Sequence, residues 1–336
     1  MTDEITDDGS TLEVEVPEEA NGLRLDVFLA DALEDASRSF VQRLIKDGHV
    51  RINGHAAARS SRTVRTDNVI EIDLPPPPPT DLQPEDIPLE VLFEDRHILV
   101  INKPSGLVVH PAPGHPSGTV VNAVLHHCRD FERPSGGLSG YGVDAARPGI
   151  VHRLDRFTSG VMVVGKTHAA FGHLAQQARE HTFDRRYLAI VRGEFKEDHG
   201  VINAAIGRSL SARGRMAVTS VNSREAVTHF QVKERFGIAS LVSLELETGR
   251  THQIRVHLRF AGKPVLGDPV YGVTDFSGWD VDPAVIEALD ALEGQALHAE
   301  LLGLEHPATH ERMQFTAPPP PDFQRVLGAL RTHASR

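Results

Sequence analysis

Cysteine is nearly absent from this chain of 336 residues, and the one present, Cys128, can form no internal disulfide and, by itself, no metal cluster or redox motif. It reads as a small packed residue. Aromatic residues make up only 5% of the sequence, and no apolar run comes near the roughly 20 residues that a membrane helix requires. The opening "MTDEITDDGS" lacks the positive-then-apolar pattern of an export signal. A cytoplasmic protein without membrane contact is the expectation. Hydrophobic residues reach 40%, enough for a sizeable core, and the length suggests two domains.

A net charge of −11 argues against a polyanionic partner only until the charge is located. Residues 1–21 carry eight acids and no Lys or Arg, and read as a disordered, solvated tail. Residues 37–66 carry seven basic groups (Arg38, Arg43, Lys46, Arg51, Arg59, Arg62 and Arg65) against one acid, Asp47. Within this stretch and its flanks, "RLDVFLADAL" sets Leu25, Phe28, Leu29 and Leu33 on one helical face, and "SRSFVQRLIKDG" offers Ser37 as a cap and Gly48 as a stop. "HVRINGHAA" carries an Asn53-Gly54 hairpin signal, and "NVIEIDL" alternates like a strand. "PPPPPT" reads as a stiff linker, which puts a boundary near residue 80. The resulting organisation is an acidic tail over 1–21, a small α/β module over 22–74 that contains the basic stretch, a Pro-rich linker over 75–87 and a larger domain over 88–330.

A run of basic residues is most simply a solvated helix face. Two helices followed by a hairpin, however, resemble the RNA-binding domain named after ribosomal small-subunit protein four. That resemblance implies RNA phosphate contacts by Arg38, Arg43, Lys46 and Arg62.

The larger domain opens with strand-like runs at 89–93 and 98–102, then a Pro/Gly-rich loop and a helix from about Thr119; "RPSGGLSGYGVDAARPG" is a second flexible loop. His110, His115, His126 and His127 fall in a loop and on adjacent helix positions, with no carboxylate at ligand spacing, and read as surface or packed histidines. In "PGIVHRLDRFTSGVMVVGK", Asp155 sits between Arg153 and Arg156, just before a Thr158-Ser159-Gly160 turn and a strand. Loop acids on a rigid scaffold are where chemistry collects, although this segment alone suits a turn-capping acid better. "THAAFGHLAQQARE" is an amphipathic helix with Phe171, Leu174, Ala175 and Ala178 on one side. "RRYLAIVRG" is a strand with Tyr187, Ala189 and Val191 on one face. "LVSLELETGRTHQIRVHLRFAG" is a strand, a Gly249 turn and a helix capped by Thr251 and stopped near Gly262. Ile254, Leu258 and Ala261 form its packing stripe, while His252, Arg255 and Arg259 form a charged one. Strands and helices do not alternate regularly, so the expected fold is α/β of the α+β kind, a mixed, largely antiparallel sheet with flanking helices.

Six motifs, "NKPSGLVVHP", "RPGIVHRLDRFTSGVMVVGK", "RRYLAIVRG", "TGRTHQIRVHL", "LGDPVYG" and "LHAELLGLEHPATHERMQFTAPPPPDF", stand in the order seen in ribosomal large-subunit pseudouridine synthases. With the basic module, the chain resembles the subgroup called pseudouridine synthase D over about residues 22–330. The resemblance implies that family's fold, no cofactor and no metal. It implies an RNA partner, most directly large-subunit ribosomal RNA or its assembly precursor. Asp155 would be the catalytic nucleophile, Tyr187 the active-site tyrosine and Arg255 the partner of the nucleophile. Arg153 would help displace the target base, and Ile254 would contact substrate. A monomer is the default expectation. The stretch 273–295 is longer and more acidic than the family pattern, and "VVGK" stands where "VVAK" is common.

The chemistry explains the residue types. Isomerising uridine breaks C1′–N1 and joins C1′ to C5, with no redox change and no net hydrolysis. A carboxylate can attack covalently, and a nearby guanidinium keeps it anionic in a dry pocket and orients it by paired hydrogen bonds. Tyr187 offers a ring face to the base and a phenol near a proton to be moved. A glycosidase would need a second acid about 5 to 10 Å from the first, and no motif pairs one with Asp155. A noncatalytic RNA-binding protein would leave Asp155, Tyr187 and Arg255 unexplained. A synthase acting on another RNA, such as tRNA, is a further alternative.

Overall fold

The computed structural model describes residues 11–33, 38–73, 82–111, 114–129, 131, 148–209, 212 and 215–336. The expected cap Ser37, the proline run at 75–79 and most of the Gly-rich stretch at 133–149 lie outside them. The chain divides into two compact units, Met1–Gln83 with Asp130–Gly149, and Pro84–Arg129 with Ile150–Arg336.

In the first unit, strand β1 (Thr11–Glu15) precedes helices α1 (Leu25–Ala32) and α2 (Arg38–Lys46) and strands β2 (Val50–Ile52), β3 (His55–Ala56) and β4 (Val69–Asp73). Leu25, Phe28, Leu29 and Leu33 meet Val41, Leu44 and Ile45 of α2 in one apolar core, as their three-and-four spacing requires. Asn53 and Gly54, both at positive φ, make the tight turn between β2 and β3. The reading of 1–21 as a disordered tail fails from residue 11 onward. Strand β1 pairs antiparallel with β4, and the sheet runs β1-β4-β2-β3. Leu12 and Val14 alternate with Glu13 and Glu15, so one face of β1 packs while the acids point outward. The density of acids concealed that alternation.

The second unit begins with β5 (Glu90–Glu94), β6 (Ile98–Lys103) and α3 (Val120–His127), then β7 (Ser159–Gly165), α4 (His168–Glu180) and β8 (Asp184–Arg192). Strands β9 (His199–Asn203), β10 (Ile206–Arg208), β11 (Met216–Val218), β12 (Val227–Arg235) and β13 (Ala239–Leu246) lead to helix α5 (Gln253–Phe260). Helix α6 (Pro283–Asp290), β14 (Leu297–Glu305), β15 (Arg312–Thr316) and α7 (Pro321–Ala334) complete it. Nine strands form one sheet, ordered β5-β6-β7-β14-β8-β13-β12-β9 with β15 also on β14. Among the described residues of this sheet only β7 and β14 pair in parallel, so the sheet is mixed and largely antiparallel, as expected. The long stretch at 273–295 is no bare loop: it holds α6, whose Val285 and Leu289 join Phe323, Val326 and Leu330 of α7 in the core.

Strand β8 sits centrally, with Tyr187 opposite Leu244 on one side and Ala299 on the other. Ala299 also faces Gly160, so β7 and β8 flank the same residue of β14. Gly160 is required there: at φ +119 its added Cβ would lie 2.2 Å from the Ala299 carbonyl oxygen. This close approach leaves only β14 between β7, which the Asp155 turn enters, and the Tyr187 position on β8.

Candidate active site

Asp155 opens a four-residue turn in which its carbonyl accepts the Thr158 amide at 3.0 Å. Two buried side chains hold that turn from outside. The Lys103 ammonium, fully buried, donates to the carbonyls of Pro104, Leu107 and Arg156 at 2.8, 2.9 and 3.0 Å. Gln295 donates to the Thr158 hydroxyl at 3.0 Å. Burial pushes the Lys103 amine down to about 7, with the Asp155 charge acting in the opposite direction.

Helix α5 brings the guanidinium. Its expected Thr251 cap is not used: His252 is the N-cap, in the left-handed region at φ 57, and makes no side-chain cap bond. The Gln253 side chain does the tying, accepting from the Arg250 amide and Thr248 hydroxyl and donating to the Val227 carbonyl and Thr228 hydroxyl. Nor does the helix present a charged face to solvent. Every residue from Gln253 to Leu258 is buried, and Arg255 is 5% exposed. A helix buried on every side over its first six residues needs partners for its polar side chains, and those partners define the site.

Arg255 uses its whole fork. Nη1 donates to Asp155 Oδ2 at 2.8 Å, while Nε and Nη2 donate to the two oxygens of Asp268 at 2.7 and 2.8 Å. Its ring neighbour is Tyr271, 5.0 Å from Cζ. Burial opposes the Arg255 charge, but Asp268 and Asp155 outweigh it and hold the guanidinium above its ordinary range. Burial likewise works against the Asp268 carboxylate, and Arg255 with the Val270 and Tyr271 amides overcomes it, leaving that acid below its ordinary value. Asp268 is fully buried and spoken for; Asp155 keeps 17% of its side chain exposed. Only Asp155 can reach a substrate.

Asp155, Arg153, Tyr187, His252, Ile254 and Arg255 share the wall of one cleft, of about 380 Å³ and partly open to solvent, with Leu246 and Leu297 as apolar lining. All five of the residues expected at catalysis or substrate therefore meet. Burial pushes the Tyr187 phenol up, Arg185 pulls it down and Asp155 adds to the rise. Arg185 stands two residues earlier on the same face of β8, with Nε and Nη2 buried and unpartnered among the described residues. In the first unit, Arg43, Lys46 and Arg62 are exposed, whereas Arg38 bonds the buried Asp26 at 3.1 Å, alongside Arg24 and Gln42.

Sequence reading missed Asp268, His252 and Tyr271. Asp268 and Tyr271 lie in "LGDPVYG", where Asp-Pro signals a turn; Asp268 does make that turn, and the same side chain grips Arg255. A second acid thus shares the cation of Asp155, contrary to expectation, but its burial and double hydrogen bond to Arg255 leave it no glycosidase role. His127, expected to have no carboxylate nearby, meets Glu94 of β5 at 2.8 Å; the same carboxylate takes the buried Lys166 ammonium at 2.8 Å.

The model of the RNA pseudouridylate synthase family matches residues 97–260, and that of the S4 domain residues 23–70. Ribosomal large subunit pseudouridine synthase D of Zymomonas mobilis is 43% identical over 95% of this chain and 98% of its own length. RNA pseudouridine synthase 2, chloroplastic, of Arabidopsis thaliana is 37% identical over 94% of this chain and 82% of its own. The solved structure of human RNA pseudouridylate synthase domain containing 4 superposes with a TM-score of 0.53 at 27% identity, covering 72% of this chain and 93% of that one. With an S4 match followed by a synthase match and such relatives along nearly its whole length, the chain belongs to the RNA pseudouridine synthase family, isomerases that act on RNA.

Proposed function

We propose that Asp155 is the nucleophile with which this enzyme isomerises uridines of large-subunit ribosomal RNA, in the cytoplasm and as a monomer. One observation carries the reading: the Arg255 fork is anchored on buried Asp268 and spends its remaining nitrogen on Asp155, the one carboxylate of the pair open to the cleft. A fixed cation beside an accessible carboxylate fixes the direction in which its free oxygen points.

The target nucleotide must leave its stack to reach that carboxylate, at a cost of a few kcal/mol that favours loops and loosely paired sites. Arg153, exposed at the cleft mouth, is suited to the vacated place in the helix. Once inside, the uracil meets the Tyr187 ring and the apolar Ile254, Leu246 and Leu297. Attack by Asp155 on the sugar or the base lets the C1′–N1 bond break, and the uracil turns C5 toward C1′. The C1′–C5 bond then forms, the bond to Asp155 breaks to restore the carboxylate, N1 takes up a proton and C5 gives up its own, with the Tyr187 phenol in the same cleft as a candidate to handle it. Arg43, Lys46 and Arg62 of the S4 domain supply phosphate contacts that position the RNA without reading sequence. Relatives named for the ribosomal large subunit favour that target over tRNA.

Because C5 loses its hydrogen, tritium placed there reports the reaction. With ribosomal RNA so labelled, Asp155→Asn is expected to release tritium only at background under single-turnover conditions, while binding the RNA and unfolding as the unaltered protein does. Release at a substantial fraction of the normal rate would remove Asp155 from the chemistry.

A further inference from the structure

Among the described residues, His252 is held in the left-handed region without being glycine, in the wall of the active cleft. Backbone strain of this kind persists where packing over-determines it, and it concentrates at functional sites. Here the packing is Tyr271, whose ring meets the imidazole edge-on at 5.5 Å and whose hydroxyl lies 2.9 Å from His252 Nδ1.

That hydroxyl also receives the Met216 amide at 2.9 Å. An amide only donates, so the phenol oxygen is the acceptor there and its own proton is free for Nδ1. Tyr271 is 4% exposed, which leaves no bulk water to take that proton instead. Nδ1 is then the acceptor, and the proton of the neutral ring belongs on Nε2. Burial keeps the ring neutral, although Asp155 favours its charge; Arg255 and Arg153 disfavour it.

His252 Nε2 lies 3.8 Å from Asp155 Oδ1. This exceeds a direct hydrogen bond, but a single oxygen beside the pair, about 2.8–3.0 Å from each, could bond both. Oδ1 is not the oxygen that Arg255 holds. The intervening group must accept from Nε2–H and donate to a carboxylate oxygen. Uracil carbonyls and phosphate oxygens only accept, and N3–H of uracil only donates. A hydroxyl does both. In a nucleotide within an RNA strand the 3′ and 5′ oxygens are esterified, so the 2′-hydroxyl is the free one.

On the reading that the cleft takes a uridine, we propose that His252 and Asp155 together receive the 2′-hydroxyl of the target nucleotide, making His252 a determinant of ribose over deoxyribose. The 2′-carbon adjoins C1′, so the same contact brings C1′ alongside the Asp155 carboxylate.

The test uses two RNA hairpins of large-subunit ribosomal sequence, each centred on the uridine whose pseudouridine is lost in cells without the protein, that differ only in having ribose or 2′-deoxyribose at that one nucleotide. Isomerisation leaves the hydroxyl in place, so equilibrium binding reads the contact before and after turnover. The unaltered protein is expected to prefer the ribose hairpin by roughly tenfold, the worth of one good hydrogen bond. His252→Asn tolerates the left-handed backbone but is too short to reach, and should bind both hairpins within about twofold of each other. Tyr271→Phe keeps the ring against His252 and removes the hydroxyl that orients it, and should narrow the preference in part. It also decides the matter if His252→Asn fails to fold. A merely structural role would weaken both hairpins equally, and an unchanged ratio in the folded variants overturns the receptor. If the unaltered protein leaves the ribose hairpin unmodified, the synthase reading itself fails; modification with an unchanged ratio rejects the receptor alone.

Discussion

Arg255 serves two carboxylates that cannot be exchanged. Asp268 fixes the guanidinium from a fully buried position, and Asp155 receives what remains of it. Arg255→Met should therefore do more than slow turnover: it strands the Asp268 charge in the interior, at a cost of about 3–5 kcal/mol in stability. In the intact protein the folded Asp268 carboxyl lies below its unfolded value, so its stabilisation is complete above that unfolded value and is lost as pH falls through the folded one. Without Arg255, burial is opposed only by the Val270 and Tyr271 amides, and the direction reverses. Denaturant midpoints of Arg255→Met should rise as pH is lowered from 7 toward 5, whereas those of the intact protein should not; parallel curves would mean that Asp268 is not held as described. Arg255→Lys should fold but lose about 10²-fold in turnover, because an ammonium cannot span both acids and Asp155 shifts. Arg259, exposed one turn later, is the control on the same helix. Asp155, Tyr187 and Arg255 were legible in the sequence because each stands in a motif of distinctive residue types. Asp268 was not, because a turn accounts for an Asp-Pro pair and its bond to Arg255 exists only once the chain between them has folded back.

At the scale of elements, the site depends on how closely β7 approaches β14. Gly160→Ala should cost about 3 kcal/mol or more, because backbone rather than a movable side chain meets the new methyl group. The turn bearing Asp155 leaves β7 by the same route, so turnover should fall along with the denaturation midpoint. A variant of normal stability and activity would show that β7 can move without moving the site. Periodicity gave β6, β7, β8, β13 and α4 nearly to the residue, since each has an unambiguous apolar pattern. It failed where polar groups are buried: α5 reads as amphipathic, yet Arg255 is inward and His257 is fully buried between Thr228 and the Ala204 carbonyl. It failed also at β1, where acids on the outer face obscured Leu12 and Val14.

For the whole molecule, a net charge of −11 coexists with a basic stretch over 37–66 inside the S4 domain, so capture of RNA is a local property. Removing residues 1–81 should leave the synthase unit folded and able to isomerise uridine, since it has its own sheet and cores. Affinity for structured ribosomal RNA should fall, and the slope of log affinity against log salt should flatten by about 0.9 for each phosphate that the S4 domain had neutralised. An unchanged slope would assign the basic residues another task. The most direct measurement maps pseudouridines across large-subunit ribosomal RNA in cells lacking this protein and complemented with either the unaltered chain or Asp155→Asn. Specific pseudouridines should vanish without the protein, return with the unaltered chain and stay absent with Asp155→Asn at equal abundance. Restoration by Asp155→Asn, or a large-subunit map that never changes, would contradict the account.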